Sequence, residues 1–261
     1  MNASPLPRNL TSYDFLKMAA VLLMIVDHLG YYFFPEDLWL RAIGRWCVPI
    51  WFFLIGYANS RSMNKELWVG VLVLAVSSVI AGQSLFPFSI LATILVIRMI
   101  LDTLMDFAME NPRNFWTLSV VMALLTLPTT FLFEYGSEGF VLAMVGYLIR
   151  RKGQVSDGLI DLFVLFAFLT FVTFETILFG FNRDMVILVS AGIVAVFVFL
   201  YYFKPTEFPK LTRTMPIFVT KSIKIFGRHT LLIYVGHLVL FRLLALYLFP
   251  EQFQAFNWSF F

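Results

Sequence analysis

Apolar runs about as long as a bilayer is thick alternate along this chain with short polar connections. A helix needs about 20 apolar residues to cross the hydrocarbon core, with a range of roughly 17–25. On that template nine runs predict helical spans, at 15–34, 46–60, 66–82, 85–101, 116–133, 139–149, 159–180, 185–203 and 229–249. The second and sixth are short. Thr11 and Asp14, three residues apart just ahead of the first run, predict a capping box that starts its helix. The expected fold class is therefore all-α: a polytopic transmembrane helical bundle of about nine spans, forming one domain over residues 1–261.

Lys and Arg in the loops set the expected orientation. With the N-terminus inside, fourteen of the nineteen fall on the inner side, while Arg41, Arg45 and Arg183 fall outside and Arg98 and Arg242 lie within spans. That bias predicts an inside N-terminus and an outside C-terminus. In the longest inner connection, 204–228, the stretch from Met215 to Phe226 alternates apolar residues with Lys221 and Lys224. It suits either an amphipathic helix on an anionic membrane surface or a basic loop.

Several ionisable residues interrupt the apolar runs. The sequence Leu-Leu-Met-Ile-Val-Asp27-His28-Leu-Gly30 places an acid and an imidazole deep in the first span. Counting along the helices puts Asp27 and His28 in its outer third, Arg45 at the outer start of the second span and Glu175 in the outer third of the seventh. In the ninth, His237 lies near the middle and Arg242 in the outer third. A charge facing lipid costs several kcal/mol, so these side chains are expected to converge on a partly hydrated cavity. One residue along a helix is a turn of about 100°, so Asp27 and His28 cannot face the same spot. If His28 faces the cavity, Asp27 points to a neighbouring helix, where Arg45 is one partner. Glu175 or Asp27 would orient the imidazole. Structural roles compete for each residue: Asp27 as a helix tie, Glu175 at the interface, His237 in hydrogen-bonded packing, and Arg242 snorkelling to the headgroups.

A second polar group gathers at the inner side, where Arg61 and Lys65 follow the second span and Arg98 lies near the inner end of the fourth. Asp102, four residues beyond Arg98, is spaced for an ion pair with it. Such cations suit the phosphates of a cytoplasmic cofactor and equally suit a positive-inside anchor.

Composition sharpens the class. The chain is 60% hydrophobic and 13% charged, with mean hydropathy +0.85, which soluble domains do not show. The charge of +3 is explained by topology, so no nucleic-acid partner is expected. A single cysteine, Cys47, allows no intrachain disulfide and reads as a packing residue. There is no G-x-x-x-x-G-K-[ST] loop, H-E-x-x-H, Gly-x-Ser-x-Gly or Cys cluster, and no metal is expected.

The N-terminal quarter carries Tyr13-Asp14-Phe15-Leu16-Lys17, then Met24-Ile25-Val26-Asp27-His28-Leu29-Gly30-Tyr31, then Arg41-Ala42-Ile43-Gly44-Arg45 and Pro49-Ile50-Trp51-Phe52-Phe53-Leu54-Ile55-Gly56-Tyr57. This pattern resembles the TraX family, whose founding member is associated with acetylation of conjugative pilin. Gly227-Arg228-His229-Thr230-Leu231-Leu232-Ile233-Tyr234-Val235-Gly236-His237 looks like the last helix of the wider type-3 membrane acyltransferases. The middle, roughly 66–225, matches only in hydropathy.

The resemblance implies an acyltransferase of the bacterial inner membrane. Cytoplasmic acetyl-CoA would be the donor, and an amine or hydroxyl of pilin or an envelope glycan the acceptor. In the wider group a first-helix histidine is essential, and His28 matches it. As general base His28 would activate the acceptor, with Arg45 or Arg242 stabilising the carbonyl oxygen and Arg61, Lys65 and Arg98 holding the cofactor. The rival reading is a proton-coupled transporter or channel using the same buried residues; a non-catalytic scaffold is the third.

Overall fold

The computed structural model describes residues 7–260, and they form twelve helices. In chain order these are α1 (Ser12–Phe33), α2 (Leu38–Gly44), α3 (Cys47–Tyr57), α4 (Lys65–Ile80), α5 (Ile90–Met109) and α6 (Pro112–Thr130). They continue with α7 (Glu138–Arg150), α8 (Asp157–Phe179), α9 (Arg183–Tyr201), α10 (Pro209–Thr214), α11 (Ile217–Arg228) and α12 (Thr230–Leu248). Among the described residues there is no strand, only isolated bridges such as Thr11 with Glu207. The capping box forms: Thr11 Oγ accepts from Asp14 N–H, and the Asp14 carboxylate accepts from Thr11 N–H.

Each of the nine apolar runs folds as a helix. By length and composition five helices are able to cross a membrane: Ser12–Phe33, Leu38–Tyr57, Asp157–Phe179, Arg183–Tyr201 and Thr230–Leu248. Their outward faces are apolar. On α8, Leu162, Leu165 and Leu169 are exposed at helical spacing while Ile160, Phe163, Ala167 and Phe171 are buried. This inside-out pattern suits a hydrocarbon solvent.

Two elements depart from the expected boundaries. The polar connection ahead of the second run is itself helical, so that α2 and α3 run on as one 20-residue length, Leu38–Tyr57. Asp37 caps α2 by accepting from Trp39 N–H, and Gly44 lies so close to Asp27 of α1 that a Cβ there would collide with it. The fourth run starts later and runs on to Met109, because Leu101, Met105 and Ala108 extend one buried stripe while Asp102 and Asp106 stay exposed.

At the centre lies α7, only 13 residues long and buried continuously from Glu138 to Ile149. It packs against α3, α5, α6 and α8. Gly56 of α3 abuts the Ala143 carbonyl and Gly146 of α7 abuts the Phe53 carbonyl, which is the close backbone approach small residues allow between membrane helices. α1 packs against α2, α3, α11 and α12 and so borders both the core and the cavities described below.

Candidate functional site

The face of α1 that meets the protein core carries Leu16, Ala20, Met24 and Asp27, three or four residues apart. The same register on α8 aligns Phe163, Ala167, Phe171 and Glu175, so on each helix an acid follows three buried apolar residues of one face. Asp27 is 3% exposed and turns toward α2 and the start of α3. There Arg45 Nε donates to its Oδ1 at 3.0 Å, Arg45 Nη2 donates to Oδ2, and Arg41 Nη1 donates to Oδ2 at 2.8 Å. Arg41 Nη1 also donates to the Asp27 carbonyl at 3.3 Å. Arg45 further donates to Tyr135 Oη at 2.8 Å, and both guanidinium groups lie over the Phe179 ring. Asp27 is thus a saturated tie between α1 and the α2–α3 segment.

His28, about 100° further round α1, faces α12. Its Nδ1 lies 2.7 Å from His237 Nε2, with ring centroids 5.0 Å apart. His237 Nδ1 lies 2.7 Å from the Ile233 carbonyl oxygen. A carbonyl only accepts, so Nδ1 of His237 carries its proton and Nε2 of the neutral ring presents a lone pair. His28 Nδ1–H therefore donates to His237, which leaves Nε2 of His28 as the unprotonated nitrogen. This chain fixes tautomer and ring orientation together, a role that neither Glu175 nor Asp27 plays for His28.

Two cavities meet at this imidazole. The first, of about 610 Å³, reaches from Thr11, Asp14 and Lys17 at the start of α1, with Asn64, Arg98 and Arg228 beside them, past Met24, Trp51, Leu91 and Leu231. The second, of about 420 Å³, is lined by Tyr31, Tyr32, Arg41, Arg45, Gln83, Glu138, Glu175 and Arg242. Asp27, His28, Glu134, Tyr135 and Tyr234 line both. Thr11 to His28 is a rise of about 25 Å at 1.5 Å per residue, so cavity borders α1 over most of its length.

Of the remaining expected residues, Arg242 and Glu175 line the second cavity, Arg98 lines the first, and Arg61 and Lys65 line neither. Arg242 lines the second, where Nε donates to Tyr32 Oη at 3.1 Å and Nη1 to the Leu74 carbonyl at 2.7 Å and to Ser77 Oγ. Glu175 Oε2 is 3.9 Å from Arg45 Nη1 and has no hydrogen bond. Arg98 lines the first cavity and donates to the Ser62 carbonyl, while its buried Nε has no partner. It does not pair with Asp102. Arg61 takes that carboxylate at 3.0 Å and also caps α3 through the Ile55 and Ala58 carbonyls at 2.5 and 2.9 Å. Lys65 is exposed at the start of α4 and does not line the first cavity. Arg228 ties α11 to α1 through Asp14, at 2.9 and 3.0 Å, and that carboxylate holds the guanidinium above its ordinary value.

Sequence reasoning passed over Lys17, Arg41 and the segment Phe133-Glu134-Tyr135-Gly136-Ser137-Glu138. The signal for the last was present, two acids flanking Tyr-Gly in a connection too short to be a free loop. Glu134 turns inward because its carboxylate accepts from Ile90 N–H at 2.7 Å, and Tyr135 adopts φ 66° ahead of Gly136. Among the described residues no group of three or more His, Cys, Asp or Glu is placed to hold a metal ion.

A family model described as TraX protein matches residues 12–245, which takes in α1 and nearly all of α12. An uncharacterized protein of Rickettsia prowazekii is 24% identical over 172 residues, covering 66% of this chain and 69% of the relative. No solved structure matches.

Proposed function

The chain belongs to the TraX family, and on that premise we propose that it moves an acetyl group from cytoplasmic acetyl-CoA to an amine or hydroxyl acceptor, pilin or an envelope glycan, at the outer side of the bacterial inner membrane. The observation that carries this reading is the meeting of two cavities at one oriented imidazole. The donor enters the first cavity, whose mouth presents Lys17 and Arg98 to its phosphates and whose apolar middle accommodates the thioester arm. The acceptor enters the second.

His28 Nε2 removes the proton from the acceptor as its nitrogen or oxygen attacks the thioester carbon, and returns that proton to the leaving thiolate. His237 holds the ring for both steps and shares the charge that develops on it. Tyr135 and Tyr234, which line both cavities, are the hydroxyl donors nearest in kind to what a developing oxyanion needs. Arg45 is less suited, since its donors are already taken by Asp27 and Tyr135.

The test is transfer of radiolabel from acetyl-CoA by the purified protein in proteoliposomes, with membrane extract and pilin peptide as acceptors. Wild type is expected to label an acceptor and His28→Ala to fail while remaining folded. A wild-type protein that neither binds nor consumes acetyl-CoA would refute the reading. A proton flux across the same liposomes would then favour a proton-coupled transporter.

A further inference from the structure

Seven carboxyl or guanidinium side chains line the second cavity, and they do not balance. Arg41, Arg45 and Arg242 supply three positive charges, whereas Asp27, Glu134, Glu138 and Glu175 supply four carboxyl groups. Arg41 spends its short contact on Asp27, and Arg45 divides its own between Asp27 and Tyr135. Glu175 has only Arg45 at 3.9 Å, and Glu138 has nothing. Both glutamates are 1% exposed and both line the second cavity. Glu138 Oε1 and Oε2 and Glu175 Oε2 are buried without a hydrogen-bond partner. Buried polar atoms in native proteins are almost always bonded, so three bare oxygens on one chamber mark a missing partner.

We infer that Glu138 and Glu175 form a cation subsite in the second cavity that receives the primary ammonium group of the acceptor. One monocation brings the cluster to neutrality. The unpartnered carboxylate oxygens can take all three N–H donors of an ammonium, which carries no acceptor of its own. A hydroxyl would leave the charge uncompensated and supply one donor. Among the described residues no three His, Cys, Asp or Glu side chains are grouped to hold a metal ion, and Asp27 in this cavity is engaged by Arg41 and Arg45. Both residues come from the core: α7 presents Glu138 at its first turn, and α8 presents Glu175 at the end of its buried stripe.

The role of this subsite as the acceptor pocket rests on the acyl transfer proposed above, and it selects the amine among the acceptors that reading admits. The ammonium gives one proton to the carboxylate pair. The amine nitrogen then bonds to the acyl carbon, the C–S bond breaks, and the second nitrogen proton passes through His28 Nε2 to the leaving thiolate. Ammonium and thioester thus become amide, thiol and one proton, which the carboxylate pair holds.

The test is calorimetric titration of the full chain in nanodiscs with n-butylammonium chloride, n-butanol and sodium chloride at matched ionic strength. Wild type is expected to bind one n-butylammonium at least tenfold more tightly than n-butanol or sodium. Glu138→Gln and Glu175→Gln, which keep side-chain size, should each weaken that binding at least tenfold. Equal affinity for n-butylammonium and n-butanol in wild type, a comparison that depends on no variant, would overturn the inference by showing that a proton makes up the charge. Equal affinity for sodium would overturn the ammonium assignment. Glutamate-dependent ammonium binding without acyl transfer would leave the subsite standing and remove the transferase reading; transfer without such binding would do the reverse.

Discussion

Asp27 and His28 are consecutive residues of α1 in opposite chemical situations. Asp27 turns to the α2–α3 segment, and both its carboxylate oxygens are bonded to guanidinium groups there. His28 faces the cavities; only its Nδ1 is engaged, and the protein leaves Nε2 without a partner. A saturated buried cluster stores structure, because removing one member strands the others. A half-engaged ring in a cavity stores chemistry, because its free nitrogen has a lone pair to use. Burial and ionisability are common to both, so neither property alone separates a strut from a base.

Substitutions at the two positions should therefore fail in different ways. The largest effect on turnover is expected at His28: His28→Ala should lower acyl transfer by about 10²–10⁴-fold, the usual contribution of a general base, with an unchanged melting temperature in detergent. An equal fall in melting temperature would move His28 into the structural class. The largest effect on stability belongs to Asp27. Asp27→Ala removes the carboxylate that accepts the buried hydrogen bonds of Arg41 and Arg45, at a cost of about 3–5 kcal/mol. That should appear as reduced protein level and lower melting temperature, partly recovered by adding Arg45→Met. Full stability of Asp27→Ala would erase the contrast.

Smaller effects refine it. His237→Phe keeps the packing but removes the nitrogen that accepts from His28, so transfer should fall about tenfold to a hundredfold, as when an orienting partner is lost. KM for the donor should not change. Smallest is the mouth of the first cavity, where Lys17→Ala should raise the donor KM about two- to fivefold with little change in kcat, since an ion contact near solvent contributes little. Arg61→Ala should instead act on stability, because Arg61 caps the end of α3 and pairs with Asp102.

Legibility from sequence differed between elements for physical reasons. The nine apolar runs were readable because burial in lipid or in a helical core leaves a length and composition signal in any one segment. α2 was not, since seven residues, Leu-Trp-Leu-Arg-Ala-Ile-Gly, are too few to carry one, and its helix is fixed by contact with α1. The five helices of membrane-crossing length and apolarity are fewer than the nine runs, because α4 and α7 are short, α5 ends in an acidic stretch and α6 is diluted by Arg113, Asn114 and its Ser and Thr residues.

The site divides along the same line. That Asp27 and His28 must look in different directions follows from helix geometry alone, and the ionisable residues at similar depth already implied a shared interior. Whether His28 would be oriented by an acid or by a second imidazole, and whether Arg98 or Arg61 would take Asp102, depended on distances between residues as far apart in sequence as His28 and His237. The chain by itself determined membrane helices, a family pattern and which residues cannot face lipid, because each of those is a property of one segment. Only the tertiary structure decided that Asp27 is a tie, that His28 carries its free nitrogen on Nε2 and that Glu138 lies without a partner beside Glu175. Hydrogen-bond saturation is a relation among several helices, and no single stretch of sequence contains it.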